Sequence, residues 1–423
     1  MKKDLYEIGE IPPLGHVPKS MYAWTIRKDR HGPPETSMQI EVVPTWSIDS
    51  NDVLILVIAA GVNYNGVWAA SGEPISVLDI HKNPFHIPGS DAAGIVWSVG
   101  CKVKRWKVGD EVVVHCNQDD GDDEECNGGD PMFSLSQRIW GYETPDGAFA
   151  QFSRVQERQL MQRPRHLTWE ESACYTLTLA TAYRMLYGHE PHTLKPGDDV
   201  LVWGASGGLG VFGIQLCGAV GANAIGVISH ETKKNYVLSL GARGVINRTD
   251  FYCWGKLPKV GTPEHTSFMF QTRMFGKAIW NITGKKNVDI VFEHPGEDTF
   301  SVSTYVAKRG GMVVFCGGTT GYNMTFDARY SWMHQKRLQG SHFATLNQAA
   351  AANQLVVDRR IVPCMSEVFP WNKIPFCHKL MSDNLHLPGN MAVLVGAPRA
   401  GLTTFQEVIE ASNSYSSALI VTP

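Results

Sequence analysis

The sequence predicts an α/β protein of two domains, one a doubly wound parallel sheet and the other a smaller, irregular β-barrel. Three observations carry this prediction. The chain has 423 residues, 43% of them hydrophobic, more than one compact core usually holds. From about residue 195, short apolar strands alternate with helical stretches, the rhythm of parallel strands joined by crossover helices. The first 116 residues instead show short β segments broken by glycine, as in a small barrel.

In order along the chain, residues 38–43 and the run 53–58 read as strands, and residues 88–116 continue in short β pieces. An acidic, Gly-rich loop follows between Cys116 and Gly147, longer than ordinary connections. Its carboxylates form either a solvated negative face or a calcium site without EF-hand order. Residues 172–183 lack period-2 alternation and read as one buried helix. Strands at 200–203, 224–228, 244–246, 288–292 and 312–315 build the parallel sheet, and residues 250–286 read as an insertion on one edge. The last strand, 391–395, is expected to rejoin the first domain. The expected boundaries are therefore 1–172 with 346–423, and 173–345.

With 38 Lys+Arg against 41 Asp+Glu, the chain has no electrostatic footprint for nucleic acid or an anionic membrane. No apolar run approaches the length of about 20 residues that spans a bilayer. The N-terminus lacks the apolar stretch of a secretory signal, so a cytoplasmic location is expected. The nine cysteines, odd in number and without a C-x-x-C pair, read as reduced thiols.

Strand 200–203 runs into Gly204-Ala205-Ser206-Gly207-Gly208-Leu209-Gly210 and then a helix. This is the turn of a Rossmann dinucleotide site, with Ser206, Gly207, Gly208, Leu209 and Gly210 around the pyrophosphate. An NAD site usually has an acid at the end of the next strand. Here that strand ends in Ser229, with Lys233 close behind. A hydroxyl and a cation suit a 2′-phosphate, so the cofactor is expected to be NADPH. The alternative is a lysine pair that only solvates a helix start.

Gly89-Ser90-Asp91-Ala92-Ala93-Gly94 and Val108-Gly109-Asp110-Glu111-Val112, taken with the glycine turn, resemble the medium-chain dehydrogenase/reductase superfamily. Residues 62–68, Ile139-Trp140-Gly141-Tyr142-Glu143-Thr144, Val291-Phe292-Glu293-His294-Pro295-Gly296 and residues 335–343 further resemble its crotonyl-CoA carboxylase/reductase family. The likeness spans nearly the whole chain. It implies a GroES-like catalytic domain beside the Rossmann domain, with the active site in the cleft between them, and assembly as a homotetramer (a dimer of dimers) or a homodimer.

The catalytic zinc ligands of the alcohol dehydrogenases in this superfamily fall, by resemblance, on Asn63, Ser90 and Leu177, so no metal is expected. The resemblance implies reductive carboxylation of crotonyl-CoA with CO2. Hydride adds to Cβ, and the enolate then attacks CO2 in a pocket that must keep general acids and water away. Asn65 would donate to a CO2 oxygen, Glu143 and His342 would fix a water, and Tyr142 would shape the wall. Taken singly, Asn65 could cap a helix starting at Gly66, and Glu143 could merely pair with a basic neighbour. Arg329, near Lys336 and Arg337, is the candidate for a CoA phosphate. Residues 78–88 and 264–275, and Leu387 where relatives carry lysine, depart from the pattern and bear on acyl preference. The alternative activity is a crotonyl- or acryloyl-CoA reductase that only protonates the enolate.

Overall fold

The computed structural model describes residues 2–420, with side chains placed through residue 414. The chain divides into two compact units, Met1–Leu177 with Thr345–Pro423, and Thr178–Ala344.

In the first unit, β1 (Ser20–Thr25) and β2 (Gln39–Pro44) form an antiparallel ribbon. The continuous apolar run expected at 53–58 extends into β3 (Asp52–Val62), buried along almost its whole length. A strand that apolar has to be covered on both faces. It pairs antiparallel with β4 (Ala92–Val99), and β4 with β5 (Glu111–Val114). The short pair β6 (Asn117–Gln118) and β7 (Arg138–Ile139) closes the acidic loop at its base. Then β8 (Phe152–Gln156) adds to β3, and β9 (Leu160–Gln162) to β5.

The loop between β6 and β7 is not simply a solvated face. Asp119 is buried and paired with Arg158 at 2.7 Å, while Asp123 accepts a 2.6 Å bond from the Ser134 hydroxyl. Its carboxylates hold donors of the loop itself and, through Arg158, of the segment that follows β8. Among the described residues no three His, Cys, Asp or Glu side chains are grouped to hold a metal ion.

In the second unit, β10 (Asp199–Val202), β11 (Asn223–Ile228), β12 (Gly244–Asn247), β13 (Val288–Glu293), β14 (Ala307–Phe315) and β15 (Arg337–Gly340) form one parallel sheet. Their order, β12-β11-β10-β13-β14-β15, is that of a doubly wound dinucleotide fold. The sixth strand, β15, was hidden in sequence because Arg337-Leu338-Gln339-Gly340 carries a single large apolar residue.

Residues 250–286 are not an appended insertion. They connect β12 to β13, and their 21-residue helix Pro263–Thr283 lies in the sheet's own core. Phe275 stacks on Trp203 at 5.6 Å, and Trp254 meets the same indole edge-on. Residues 172–183 are likewise two helices, Trp169–Ala173 and Thr176–Tyr187. The chain leaves helical geometry at Cys174, and the buried Tyr175 hydroxyl is anchored to Asn353 at 2.5 Å.

The chain returns to the first unit with β16 (Met365–Phe369) and β17 (Asn390–Leu394). Strand β17 lies antiparallel to β3. Among the described residues all nine cysteines are free, and no helix is long and apolar enough to cross a membrane.

Candidate active site

In the nucleotide unit, the helix Gly208–Val220 begins directly after the glycine turn, with Gly207 as its N-cap. A Cβ on Gly210 would lie 2.3 Å from the Gly204 carbonyl, so only glycine lets the turn close onto the helix. At Gly207 an added Cβ would meet only the Gly204 carbonyl, at 3.4 Å. The backbone there is open, as the approach of a pyrophosphate requires. The cradle therefore fits a dinucleotide.

Ser229 follows the last residue of β11 and is half-buried, while Lys233 lies on the next turn. Lys234 pairs with Glu231 at 2.9 Å, whereas Lys233 has no ion pair among the described residues.

Beneath the turn lies a network that the sequence reading missed. Glu293, the last residue of β13, is fully buried. It accepts bonds from the Thr299 hydroxyl (2.7 Å), the Gly296 N–H (3.1 Å) and the Ser303 hydroxyl. The Trp203 indole in turn donates to Ser303 at 2.8 Å, and His294 Nε2 donates to the Trp203 carbonyl at 2.9 Å. Trp203 is the residue just before the turn. Burial pushes the Glu293 carboxyl up to about 7 and the His294 imidazole down to about 4.

In the first unit, the helix Tyr64–Ser71 starts earlier than a cap at Asn65 would require. Asn63 is the N-cap residue, and Asn65 lies inside the first turn. The Asn65 amide is buried, 3.4 Å from the Ser90 hydroxyl. Around it runs an aromatic ladder, Tyr64 to Trp68 at 5.1 Å and Trp68 to Tyr142 at 6.5 Å.

The turn carrying Tyr142 and Glu143 packs against the segment that holds Ser90. Gly141 has φ +71°, and a Cβ there would overlap the Gly89 carbonyl at 1.9 Å. No other residue permits this approach. Glu143 Oε2 accepts the Ile139 N–H at 2.8 Å, and the carboxyl is half-buried, which raises its pKa. Arg138 supplies favourable charge but makes no ion pair with Glu143, so the pairing alternative does not describe this carboxylate. Asn65, Tyr142 and Glu143 thus gather around residues 89–91.

His342 lies in the nucleotide unit. Its exposed ring packs on Phe343 at 4.6 Å. Arg329, also exposed, is gripped by Asp327 through two bonds, Nε to Oδ1 at 2.9 Å and Nη2 to Oδ2 at 2.6 Å. Lys336 is buried and donates to the Thr304 and Tyr305 carbonyls, and Arg337 donates to those of His189 and Glu190. These two cations are committed to the fold, whereas Arg329 is exposed and held only by Asp327 among the described residues.

The sequence reading also passed over Asp91. It is fully buried and accepts the Asn63 amide (2.9 Å), the Leu177 N–H (2.7 Å) and the Thr176 hydroxyl. A signal was present in both places missed. Asp91 is the single acid among small and apolar residues and Glu293 closes the apolar run Ile290-Val291-Phe292, and a buried charge needs partners.

Two family models match the chain. Residues 49–165 match the alcohol dehydrogenase GroES-like domain, and residues 208–358 match the zinc-binding dehydrogenase domain. The chain is 72% identical to the crotonyl-CoA carboxylase/reductase of Cereibacter sphaeroides, over 97% of this chain and 96% of that protein. A solved crotonyl-CoA carboxylase/reductase is 73% identical, with a TM-score of 0.94, and the match covers 97% of this chain and 96% of that one. The 2-octenoyl-CoA carboxylase reductase CinF, solved in complex with NADP and 2-octenoyl-CoA, is 35% identical, with a TM-score of 0.86 over 94% of this chain and 92% of that one.

Proposed function

The chain belongs to the crotonyl-CoA carboxylase/reductases of the medium-chain dehydrogenase/reductase superfamily, and on that footing we propose that it reductively carboxylates crotonyl-CoA to ethylmalonyl-CoA with NADPH. The single observation that carries this reading is a buried amide, Asn65, gathered with Tyr142 and Glu143 around residues 89–91. NADPH, when bound at the glycine turn with Ser229 and Lys233 toward its 2′-phosphate, supplies the hydride taken up at Cβ. The enolate electron pair then closes the bond from Cα to the carbon of CO2, so carboxylation consumes no proton, whereas the competing reduction consumes one.

The residues around Asn65 favour the first outcome. The Asn65 amide donates to an oxygen of CO2, a weak acceptor that needs a directed, buried donor. Tyr142 and its neighbour Trp68 form an aromatic wall that keeps bulk water from Cα. Glu143, with Oε2 held by Ile139 N–H, has Oε1 left to fix a water without delivering a proton to carbon. His342 is assigned to the same reaction by resemblance, as a residue that orients water. Arg329 is assigned to a CoA phosphate, which requires it to leave Asp327. A cytoplasmic location and a homotetramer or homodimer complete the proposal.

The test is mass spectrometry of the product from purified protein, NADPH and crotonyl-CoA, with and without labelled bicarbonate and carbonic anhydrase. Labelled ethylmalonyl-CoA is expected. Butyryl-CoA as the sole product would reduce the chain to an enoyl-CoA reductase.

A further inference from the structure

The helix Tyr64–Ser71 is only two turns long, so the place of Asn65 depends on what anchors the helix start. The N-cap residue, Asn63, has the extended backbone of a cap, yet its side chain caps nothing. Its amide reaches Asp91 instead, at 2.9 Å. The cap bond is forgone here for a bond to a buried carboxyl in the interior.

The two contacts run in parallel. Asn63 docks on Asp91, and two residues later Asn65 docks on Ser90, the residue before Asp91. The Asp91 carbonyl also accepts the Gly61 N–H at 3.1 Å, which fixes the end of β3 from which the helix departs. On its other oxygen Asp91 takes the Leu177 N–H and the Thr176 hydroxyl. All three partners of the carboxyl are donors, so it works as an anchor.

We propose that Asp91 is a positioning residue for carbon–carbon bond formation, holding the Asn65 amide in place through Asn63. The proposal rests on the reductive-carboxylation reading. A donor displaced by about 1 Å loses most of its effect on a reacting group, and CO2 capture needs that donor while hydride addition does not. Loosening the anchor should therefore change which product forms, more than how fast NADPH is consumed.

The experiment measures the ratio of ethylmalonyl-CoA to butyryl-CoA for wild type, Asn65→Ala, Asp91→Asn, Asn63→Ala and the double variant Asp91→Asn/Asn65→Ala. Asn63→Ala leaves Asp91 with Thr176 and Leu177, so it reads the link even where Asp91→Asn folds poorly. The butyryl-CoA share should rise about fivefold or more in both Asp91→Asn and Asn63→Ala, and the double variant should match Asn65→Ala alone, because the two residues act on one interaction. If Asn65→Ala shifts the ratio while Asn63→Ala and Asp91→Asn lower only stability or total rate, Asp91 is structural and the proposal fails. An additive double variant overturns it too. A wild type that makes butyryl-CoA alone overturns the functional reading first, and this inference with it.

Discussion

Asp91 and Glu293 are the same device in two different settings. Each is a fully buried carboxyl at a strand end, each accepts three donors, and burial pushes each up to about 7. They differ in where the donors come from. Those of Glu293 are 3, 6 and 10 residues away, in the loop and helix that follow β13. Those of Asp91 are 28, 85 and 86 residues away. Glu293 therefore tightens one local turn, while Asp91 ties together segments that are distant in the chain. A local network should affect the site it abuts, the nucleotide turn. A long-range one should affect the geometry of the residues it assembles.

The largest expected effect probes the helix that Asp91 anchors. Gly66, next to Asn65, faces His378, and a Cβ there would lie 2.2 Å from Nε2. His378 cannot yield, because Nδ1 donates to the Ile374 carbonyl at 2.7 Å and the ring meets Phe149 edge-on. Gly66→Ala is expected to cost about 1–3 kcal/mol, as overpacking does, and to raise the butyryl-CoA share. Thermal melts and product analysis of the same sample check both. An unchanged ratio in a destabilised variant would mean that Asn65 tolerates movement of its helix.

Next is Glu293→Gln, which places an amide N–H against one of three donors and is expected to cost about 1–2 kcal/mol. NADPH affinity should fall while the product ratio holds, and fluorescence titration with product analysis measures the two. A shifted ratio would erase the contrast between local and long-range anchors.

The two carboxyls also set a pH dependence. A carboxyl whose folded pKa is raised binds its proton more tightly folded than unfolded, so stability is greatest below its ordinary value near 4. It is lost as pH rises toward about 7, and flat above. Melting curves from pH 5 to 8 should show the wild type losing ground against Glu293→Gln up to pH 7. A constant difference across that range would mean that Glu293 is already ionised at pH 5.

The smallest expected effect is that of Lys233→Ala, which removes a half-buried cation and should weaken NADPH binding about fivefold, with NADH binding unchanged. Equal losses for both cofactors would take Lys233 out of the 2′-phosphate site.

What the sequence by itself determined is what lies close together along the chain. Strand, glycine turn and helix at 200–220 are contiguous, so the apolar strand running into the glycines reads directly as a dinucleotide turn. So was the apolar β3, since a strand buried on both faces has to be apolar throughout. The family motifs placed Asn65, Tyr142 and Glu143 as candidates, although nothing local to them says that they meet. Tertiary structure decided the rest. It turned residues 250–286 into a crossover whose aromatic residues fill the core, because Phe275 finds its partner, Trp203, across 72 residues of sequence. It gave the Asn63 amide its partner, because only the folded chain brings Asp91 within reach. Hydrogen bonds and steric contacts act over a few ångströms, and a sequence records such distances only for neighbours along the chain.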